Sequence, residues 1–190
     1  MNWLAFDIGG ANIKAADGAG FAESRMFALW QRPQLLVDAL RAMIAEAPQS
    51  DHLAVTMTGE LADCFNTKAE GVLFILAAVE KAAAHRHTRV FCSDGTLRSI
   101  EMVRKTPLIA AAANWQALAR FAGRYAKHGP ALLIDIGTTT TDLVPLVDGV
   151  VVAADAASAE RSDTQRLMAG EMIYTGVERS PVCAVVNVLP

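Results

Sequence analysis

Short apolar runs of strand length alternate along the chain with longer segments in which apolar residues recur every three or four positions. The runs that favour β-strands are residues 3–8, 52–57, 89–93 and 131–136. The segments that favour helices are residues 36–47, 72–83 and 111–122. Several of the strand-like runs are almost continuously apolar, as strands covered on both faces are. The pattern therefore predicts an α/β protein with a buried sheet.

Two segments of the chain repeat one pattern. Residues 7–21 and residues 135–152 each contain Asp-Ile-Gly, then a polar strand, then Asp-Gly. Asp-Gly is a strong signal for a tight hairpin turn. We therefore expect one supersecondary unit to be used twice, with an aspartate near the end of a buried strand in each copy. The alternative is a chance recurrence of short strands and Asp-Gly turns.

Each Asp-Ile-Gly turn has a composition suited to phosphate. Glycine lets the backbone approach an anion closely, and consecutive N–H groups form an anion-binding concavity. Mg²⁺ prefers carboxylate oxygens, so Asp7 and Asp135 are predicted to hold Mg²⁺ and to act in catalysis. The predicted phosphate ligands are Gly9, Gly10, Asn12 and Lys14 in the first turn and Gly137, Thr138, Thr139, Thr140 and Asp142 in the second. Two such turns facing each other would clamp a polyphosphate from both sides.

Thr58, Glu60 and Asp63 directly follow the predicted strand 52–57. Ligands of open α/β sheets bind beyond the carboxyl ends of strands. We therefore expect Thr58 to contact substrate, and Glu60 or Asp63 to bind a substrate ammonium group or to act as a general base. The alternative is helix capping by Thr58 and Asp63, with Glu60 in solvent.

Three further polar residues have two readings each. Lys68 either reaches a phosphate or is simply exposed. Asn114 lies in an apolar stretch, and a buried amide needs partners, so it is predicted to orient the second turn or a ligand. Arg166 is a candidate diphosphate clamp because its planar fork fits phosphate oxygens, or else it forms an ordinary surface ion pair.

The composition excludes several classes of protein. The 190 residues carry a net charge of −3, so no strong field attracts nucleic acid or an acidic membrane. Apolar runs are far shorter than the ~20 residues that cross a bilayer. The three cysteines are widely separated, which argues against a disulfide framework or a structural zinc site. With Asp7 near the start and no basic segment before it, we expect no signal peptide, and a cytoplasmic protein that acts on small molecules.

DIGG with Lys14, and DIGTTTTD, resemble the two phosphate loops of the sugar kinase, Hsp70 and actin superfamily. Longer motifs narrow the resemblance, above all TGELADCFNTKAEGV (58–72) and GEMIYTGVERSPVC (170–183). With residues 6–16, 111–115 and 133–146, they resemble the hydantoinase/oxoprolinase-related branch called tetrahydromethanopterin-linked C1 transfer pathway proteins, which includes a methanofuran biosynthesis synthase. The resemblance implies a ribonuclease-H-like, actin-type ATPase fold, with modules over 1–105 and 106–190 facing a cleft.

The same resemblance implies a function. It is a Mg²⁺-dependent transferase that condenses a diphosphate-activated aminomethylfuran with a glutamyltyramine-type phenol and releases pyrophosphate. Superfamily members carry a third, adenosine-contacting glycine motif, whereas no Gly-Gly pair follows position 150 here, so we expect the second module to be truncated. Two alternatives stay open. One is an ATP-dependent kinase or hydantoinase/oxoprolinase-like hydrolase, and the other is a non-catalytic module that pairs with another chain, such as a homodimer, through an exposed strand at 182–188.

Overall fold

The computed structural model describes residues 2–152 and 163–180, and the chain divides into two units, residues 1–114 and 115–190. The boundary lies later than the predicted one at 105. Residues 107–113 pack with the first unit, because Ser93 N donates to Ile109 O at 2.7 Å and Ala110 is fully buried in the first core. Pro107 opens a short 3₁₀ turn, Pro107–Ala110, in which the chain continues in the same unit.

The first unit contains a six-stranded sheet in the order β3-β2-β1-β4-β5-β6. The strands are β1 (Trp3–Ile8), β2 (Asn12–Ala16), β3 (Ala22–Met26), β4 (His52–Met57), β5 (His87–Phe91) and β6 (Leu97–Arg98). β1, β4 and β5 are parallel, while β2 and β3 form an antiparallel meander from β1. β1 therefore pairs with the antiparallel meander on one side and with the parallel strands on the other. This is the expected ribonuclease-H-like arrangement.

The helices of this unit are α1 (Leu36–Glu46), α2 (Lys68–Ala83) and α3 (Ile100–Lys105). α2 begins where Thr67 caps it, since Thr67 Oγ1 accepts a hydrogen bond from Glu70 N at 3.1 Å. Glu70 returns the bond to the backbone, accepting from Asn66 N at 3.1 Å. These reciprocal bonds satisfy N–H groups that have no partner inside the helix. The helix therefore starts at Lys68, before residue 72, where the apolar periodicity of the sequence begins.

The core of the first unit lies between the sheet and its helices. Alternate residues of β1 and β4 are almost wholly buried, namely Leu4, Phe6, Ile8, Leu53, Val55 and Met57. One face of α2 supplies Val72, Ile75, Leu76 and Val79 to the same core. Complete burial of each such side chain stabilises the fold by about 1.5–3 kcal/mol. The apolar periodicity of the sequence thus predicts both the elements and the faces that they bury.

The second unit repeats the first meander. Its elements are α4 (Asn114–Ala122), β7 (Pro130–Ile136), β8 (Thr141–Val147), β9 (Val150–Val151), α5 (Asp163–Met168) and β10 (Met172–Ile173). The strand order is β10-β8-β7, and β9 also pairs with β8. Asp135 pairs with Asp142 in the register in which Asp7 pairs with Lys14. The predicted duplication is confirmed in the strand pairing.

β7 departs from the prediction of a strand buried throughout. Leu132, Ile134 and Ile136 lie on one face and are 57%, 54% and 59% exposed. On the other face Ala131 and Leu133 pack against the second core, which contains Trp115, Ala119, Val144 and Leu146. The corresponding apolar run of β1 is covered by helices, whereas no element among residues 115–152 and 163–180 buries this face of β7. The predicted strand at 182–188 lies outside the described residues.

No helix in the described parts of the chain has the length and apolar character needed to cross a membrane.

Replacing Gly71 in α2 with alanine is expected to destabilise the protein by about 1–3 kcal/mol, through overpacking. A Cβ atom at this position would lie 2.7 Å from Glu60 Cα and 2.8 Å from Glu60 O. Helix propensity alone would instead favour alanine by about 1 kcal/mol, so the two effects differ in sign. Urea unfolding of Gly71→Ala measures the difference.

Gly10→Ala is the matched control, because the atom nearest to its Cβ would be Ala62 Cβ at 4.0 Å. A Gly71→Ala protein more stable than the parent would contradict the packing described for α2.

Candidate functional site

The first loop (residues 9–12) joins β1 to β2 in a closed turn. Gly9 N donates to Asn12 O at 2.9 Å. The next two carbonyls face a packing segment, since Leu29 N donates to Gly10 O at 2.9 Å and Phe27 N donates to Ala11 O at 2.8 Å. The loop is therefore fixed by main-chain contacts on one side.

Asp7 and Lys14 lie opposite each other beside the first loop. Lys14 Nζ is 3.6 Å from Asp7 Oδ2, and the Lys14 side chain is exposed while that of Asp7 is about one-quarter exposed. Asp7 also pairs in register with Thr56 on β4. The structure thus brings a carboxylate and an accessible ammonium group to the loop, as the sequence predicts.

The Thr58-Gly59-Glu60 turn contacts the first loop directly. Thr58 N donates to Ile8 O at 3.0 Å, and a Cβ on Gly59 would lie 3.1 Å from Ile8 O and 3.2 Å from Gly9 O. A Cβ at position 59 would be tight against both carbonyls, so glycine favours the close approach of the two backbones. The turn after β4 therefore lies beside the first loop, and the substrate contact predicted for Thr58 stays a prediction.

Glu60 is buried, contrary to the alternative that placed it in solvent. Its side chain is 2% exposed, and its Oε1 accepts a hydrogen bond from Ala112 N at 2.7 Å. Ala112 has a φ of +47°, a conformation that is uncommon for alanine. The carboxylate therefore holds segment 107–113 against the turn after β4.

The remaining predicted residues of the first unit differ in their exposure. Asp63 and Lys68 are exposed, whereas Thr58, Asn12 and Asn114 are half-buried. Asp63 follows the 3₁₀ turn Gly59–Leu61, Lys68 opens α2, and Asn114 begins α4. The ligand-binding roles predicted for these five side chains stay predictions.

Asp94 forms a further polar cluster after β5, at the carboxyl ends of the parallel strands, where the first loop and the Thr58-Gly59-Glu60 turn also lie. It accepts hydrogen bonds from Thr96 N at 2.9 Å and Thr96 Oγ1 at 2.7 Å, and it pairs with Arg98. Burial alone would raise the pKa of Asp94, but these partners outweigh it and hold the pKa below its usual value. Asp94 is not among the residues predicted from the sequence, and its signal there is an Asp-Gly pair that follows the end of a parallel strand after two residues.

The second loop (residues 137–140) has the turn geometry of the first. Gly137 N donates to Thr140 O at 2.8 Å, as Gly9 N does to Asn12 O. The carbonyls of Gly137 and Thr138 accept hydrogen bonds from residues 177–179. Asp135 lies on β7 before the loop, and all four loop residues are partly exposed. The predicted equivalence of the two loops is therefore present in the backbone.

Arg166 has buried partners that the sequence did not indicate. Its guanidinium is 2% exposed, with Nη2 2.8 Å from Asp142 Oδ1 and Cζ 4.1 Å from the Trp115 ring centroid. Nη2 also donates to Glu171 O at 3.2 Å. The surface ion pair considered for Arg166 is therefore wrong, because the pair is internal. A role in clamping diphosphate stays a prediction, as does phosphate binding by Asp142.

Burial raises the pKa of Asp142, although the charge of Arg166 acts in the opposite direction. The cation–π contact with Trp115 adds an attraction that is stronger in a desolvated site. The equivalent register position on β2 holds Lys14, which is exposed. The first copy of the hairpin thus has a partly exposed pair, Asp7 with Lys14. In the second copy Asp142 is buried and pairs with Arg166.

The described residues contain no group of three or more His, Cys, Asp or Glu side chains arranged to hold a metal ion. Mg²⁺ at phosphate sites usually uses one or two carboxylates, several waters and the substrate oxygens. Asp7 and Asp135, each partly exposed beside a loop, fit that limited requirement. They do not fit a metal held by protein ligands alone.

The sequence profile of the hydantoinase/oxoprolinase family matches residues 51–182, more than half of the chain. The chain belongs to the hydantoinase/oxoprolinase family. It is 36% identical over 187 residues to the (4-{4-[2-(gamma-L-glutamylamino)ethyl]phenoxymethyl}furan-2-yl)methanamine synthase of Methanocaldococcus jannaschii, covering 97% of this chain and 53% of that protein. It is also 39% identical over 56 residues to the synthase of the same name from Methanococcus vannielii, covering 30% of this chain and 22% of that protein. The resemblance inferred from the motifs is confirmed, and the chain spans about half the length of the M. jannaschii relative.

Solved structures of other proteins share part of the fold. An exopolyphosphatase-like protein has a TM-score of 0.41 and 14% identity, covering 79% of this chain and 46% of that protein. The Ppx/GppA family member of Aquifex aeolicus has a TM-score of 0.41 and 11% identity, covering 80% and 49%. Nucleotide-free acetone carboxylase has a TM-score of 0.35 and 14% identity, covering 78% and 27%. TM-scores and identities this low support no inference about the function of the chain described here.

Replacing Glu60 with alanine is expected to lower the free energy of unfolding by about 2 kcal/mol, because the Ala112 N–H loses a charged acceptor in a buried place. Glu60→Gln keeps an oxygen acceptor of the same size and should cost under about 1 kcal/mol. Denaturant titration of both variants measures the difference. Equal losses in the two variants would show that the charge, and not the hydrogen bond, stabilises the segment.

Replacing Arg166 with methionine is expected to cost about 3–5 kcal/mol at neutral pH, because the Asp142 carboxylate stays buried without its partner. The change removes the contributions that lower the pKa of Asp142, so this pKa rises further above its unfolded value. A raised acid pKa means that the folded state binds more protons, so the stability deficit should shrink as the pH falls from 8 to 5. Thermal unfolding at the two pH values tests the sign, and a deficit that grows on acidification would contradict it.

Proposed function

We propose that the chain forms part of an enzyme that condenses a diphosphate-activated aminomethylfuran with a glutamyltyramine-type phenol. The observation that carries this proposal is 36% identity, along 97% of the chain, to a synthase whose name specifies that product. The aligned region includes both Asp-Ile-Gly loops, whose turns have matching hydrogen bonds. Each loop, taken alone, has the glycine and donor composition that suits a phosphate group.

The name of the relative fixes the bond that is formed. A phenoxymethyl-furan contains an ether between a phenol oxygen and a methylene carbon on the furan ring. In the proposed step the phenol oxygen attacks that methylene carbon, and the bond from the carbon to the diphosphate oxygen breaks. Pyrophosphate leaves with the electron pair, while a carboxylate of the protein accepts the phenol proton. Atoms and charge balance without an oxidant or a reductant.

Charge develops on the departing pyrophosphate, so donors that are already in place lower the barrier. In the first unit these donors are the loop backbone and Lys14, whose ammonium group is exposed beside Asp7. The second loop, considered by itself, offers the backbone N–H and hydroxyl groups of residues 137–140. Mg²⁺ held by Asp7 or Asp135 would add Lewis-acid stabilisation of the leaving group.

Between the two candidate bases, exposure favours Asp63. Its carboxylate is exposed after the Thr58-Gly59-Glu60 turn, whereas Glu60 is buried and accepts the Ala112 N–H. An exposed carboxylate can receive a proton from a bound phenol and release it to water. We therefore assign proton transfer to Asp63 and positioning to Glu60. Cytoplasmic location and homodimer formation stay predictions.

Calorimetric titration with pyrophosphate and with ATP, each with and without Mg²⁺, tests the ligand class. We expect Mg²⁺-dependent binding of pyrophosphate that is at least tenfold tighter than binding of ATP. Asp135→Ala should weaken it, because the variant removes a carboxylate beside the second loop. Asp148→Asn is the matched control, since it neutralises an exposed carboxylate beyond the other end of β8 while keeping a side-chain oxygen that can accept from Gly129 N.

Three other results of these titrations would contradict parts of the proposal. Tighter binding of ATP would favour the ATP-dependent kinase or hydrolase instead of the condensing enzyme. The absence of heat with either ligand would count against a working site in this chain and favour a module that needs a partner chain. An Asp135→Ala protein that binds like the parent would remove Asp135 from the proposed metal site.

A further inference from the structure

Residues Thr175–Arg179, hereafter the 175–179 turn, pack against the second loop through their backbone. Val177 N donates to Gly137 O at 3.0 Å, while Glu178 N and Arg179 N donate to Thr138 O at 3.2 and 3.1 Å. Gly176 N donates to Arg179 O at 2.9 Å and closes the turn. Two consecutive carbonyls of the second loop are thus directed into one short segment.

This contact determines where the amide groups of the loop point. In a planar trans peptide the C=O and N–H bonds point in opposite directions, and the described residues contain no cis peptide. Because the Gly137 and Thr138 carbonyls face the 175–179 turn, the N–H groups of Thr138 and Thr139 point away from it. Two neighbouring N–H groups on one side of a loop form an anion-binding concavity.

Gly176 permits this contact. A Cβ there would lie 2.5 Å from Gly137 O, from Thr138 C and from Thr138 O, all of them backbone atoms. Backbone atoms cannot rotate away as a side chain can, so alanine would push the two segments apart by about 1 Å to restore normal contact. The hydrogen bonds from residues 177–179 would then lengthen or break.

The 175–179 turn is itself anchored to the second unit. Thr141 Oγ1 donates to Thr175 O at 2.7 Å, and Leu143 N donates to Glu171 O at 2.8 Å. β10 pairs with the start of β8, and Arg166 ties Glu171 O to Asp142. The turn therefore rests on a sheet strand and a buried ion pair.

The first loop is also held through its carbonyls, by a different segment and one position further along. Leu29 N and Phe27 N donate to the carbonyls of Gly10 and Ala11, whereas the bonded carbonyls of the second loop are those of Gly137 and Thr138, the counterparts of Gly9 and Gly10. Only the Gly10 and Thr138 carbonyls are therefore bonded in both copies. The N–H groups turned away are those of Ala11 and Asn12 in the first loop, and those of Thr138 and Thr139 in the second.

We propose that Gly176 is a positioning residue, through which the 175–179 turn aims the N–H groups of Thr138 and Thr139 at a bound phosphate group. The inference rests on the proposed function in taking the second loop as a phosphate site. The anion contacts the loop amides, and Gly176 acts only through them.

The experiment follows backbone amide resonances of the full chain by ¹⁵N NMR during separate titrations with pyrophosphate and with inorganic phosphate. In the parent protein both ligands should shift the Thr138 and Thr139 amides. In Gly176→Ala these shifts should disappear and the affinity of the second loop should fall at least tenfold, as expected from the loss of charge-assisted hydrogen bonds. Shifts at Ala11 and Asn12 in the first loop should persist in the variant.

Gly170→Ala is the matched control. Gly170 has a φ of +70°, so alanine is strained there, but a Cβ would have no atom within 4 Å. It should lower stability and leave the Thr138 and Thr139 shifts intact. If Gly176→Ala does not fold, Thr141→Val removes the anchor at Thr175 with little change of shape, and should weaken binding at the second loop about fivefold.

The outcomes separate the two proposals. If pyrophosphate binds and the variants leave the Thr138 and Thr139 shifts unchanged, the role of Gly176 is wrong and the proposed function stands. If only inorganic phosphate shifts these amides, and does so only with Gly176 present, the positioning role stands and the diphosphate function fails. If neither anion shifts them in the parent protein, the positioning proposal is overturned.

Discussion

The candidate site depends on close contact between backbone and backbone, which glycine allows. Gly59 lies against the carbonyls of Ile8 and Gly9, and Gly176 against those of Gly137 and Thr138. Gly71 brings α2 onto the backbone of Glu60 in the same manner. Main-chain hydrogen bonds then fix the loops without relying on side chains, which leaves one side of each loop to meet a ligand.

The two copies of the hairpin show how one backbone accommodates different charges. At matching register, Lys14 faces Asp7 near solvent, whereas Asp142 is buried with Arg166 and Trp115. A buried charge is tolerated only with a partner, because removal from water is costly. The first pair is therefore available to a ligand, and the second instead joins α5 and β10 to the start of β8. This difference makes the backbone the main source of donors in the second loop.

Much of the fold is predictable because local patterns and burial agree in the first unit. The apolar alternation of β1 and β4 and the two Asp-Gly turns appear where the sequence places them. β7 has the same apolar pattern, yet four of its seven residues are exposed. Periodicity reports which faces are apolar, but what covers a face depends on elements distant in sequence. The unit boundary differs for the same reason, because Glu60 and Ser93 hold residues 107–113 by long-range hydrogen bonds.

The sequence by itself determined the α/β class, the duplicated Asp-Ile-Gly hairpin, the family and the candidate loop residues, since each is written in short motifs or in local periodicity. The tertiary structure decided that Glu60 is buried, that Arg166 binds Asp142, and that Gly176 lies against the second loop. These contacts join residues 24 to 52 positions apart. Neither propensity nor spacing encodes them, because the free energy of a buried charge or a close backbone contact is set by its neighbours in space.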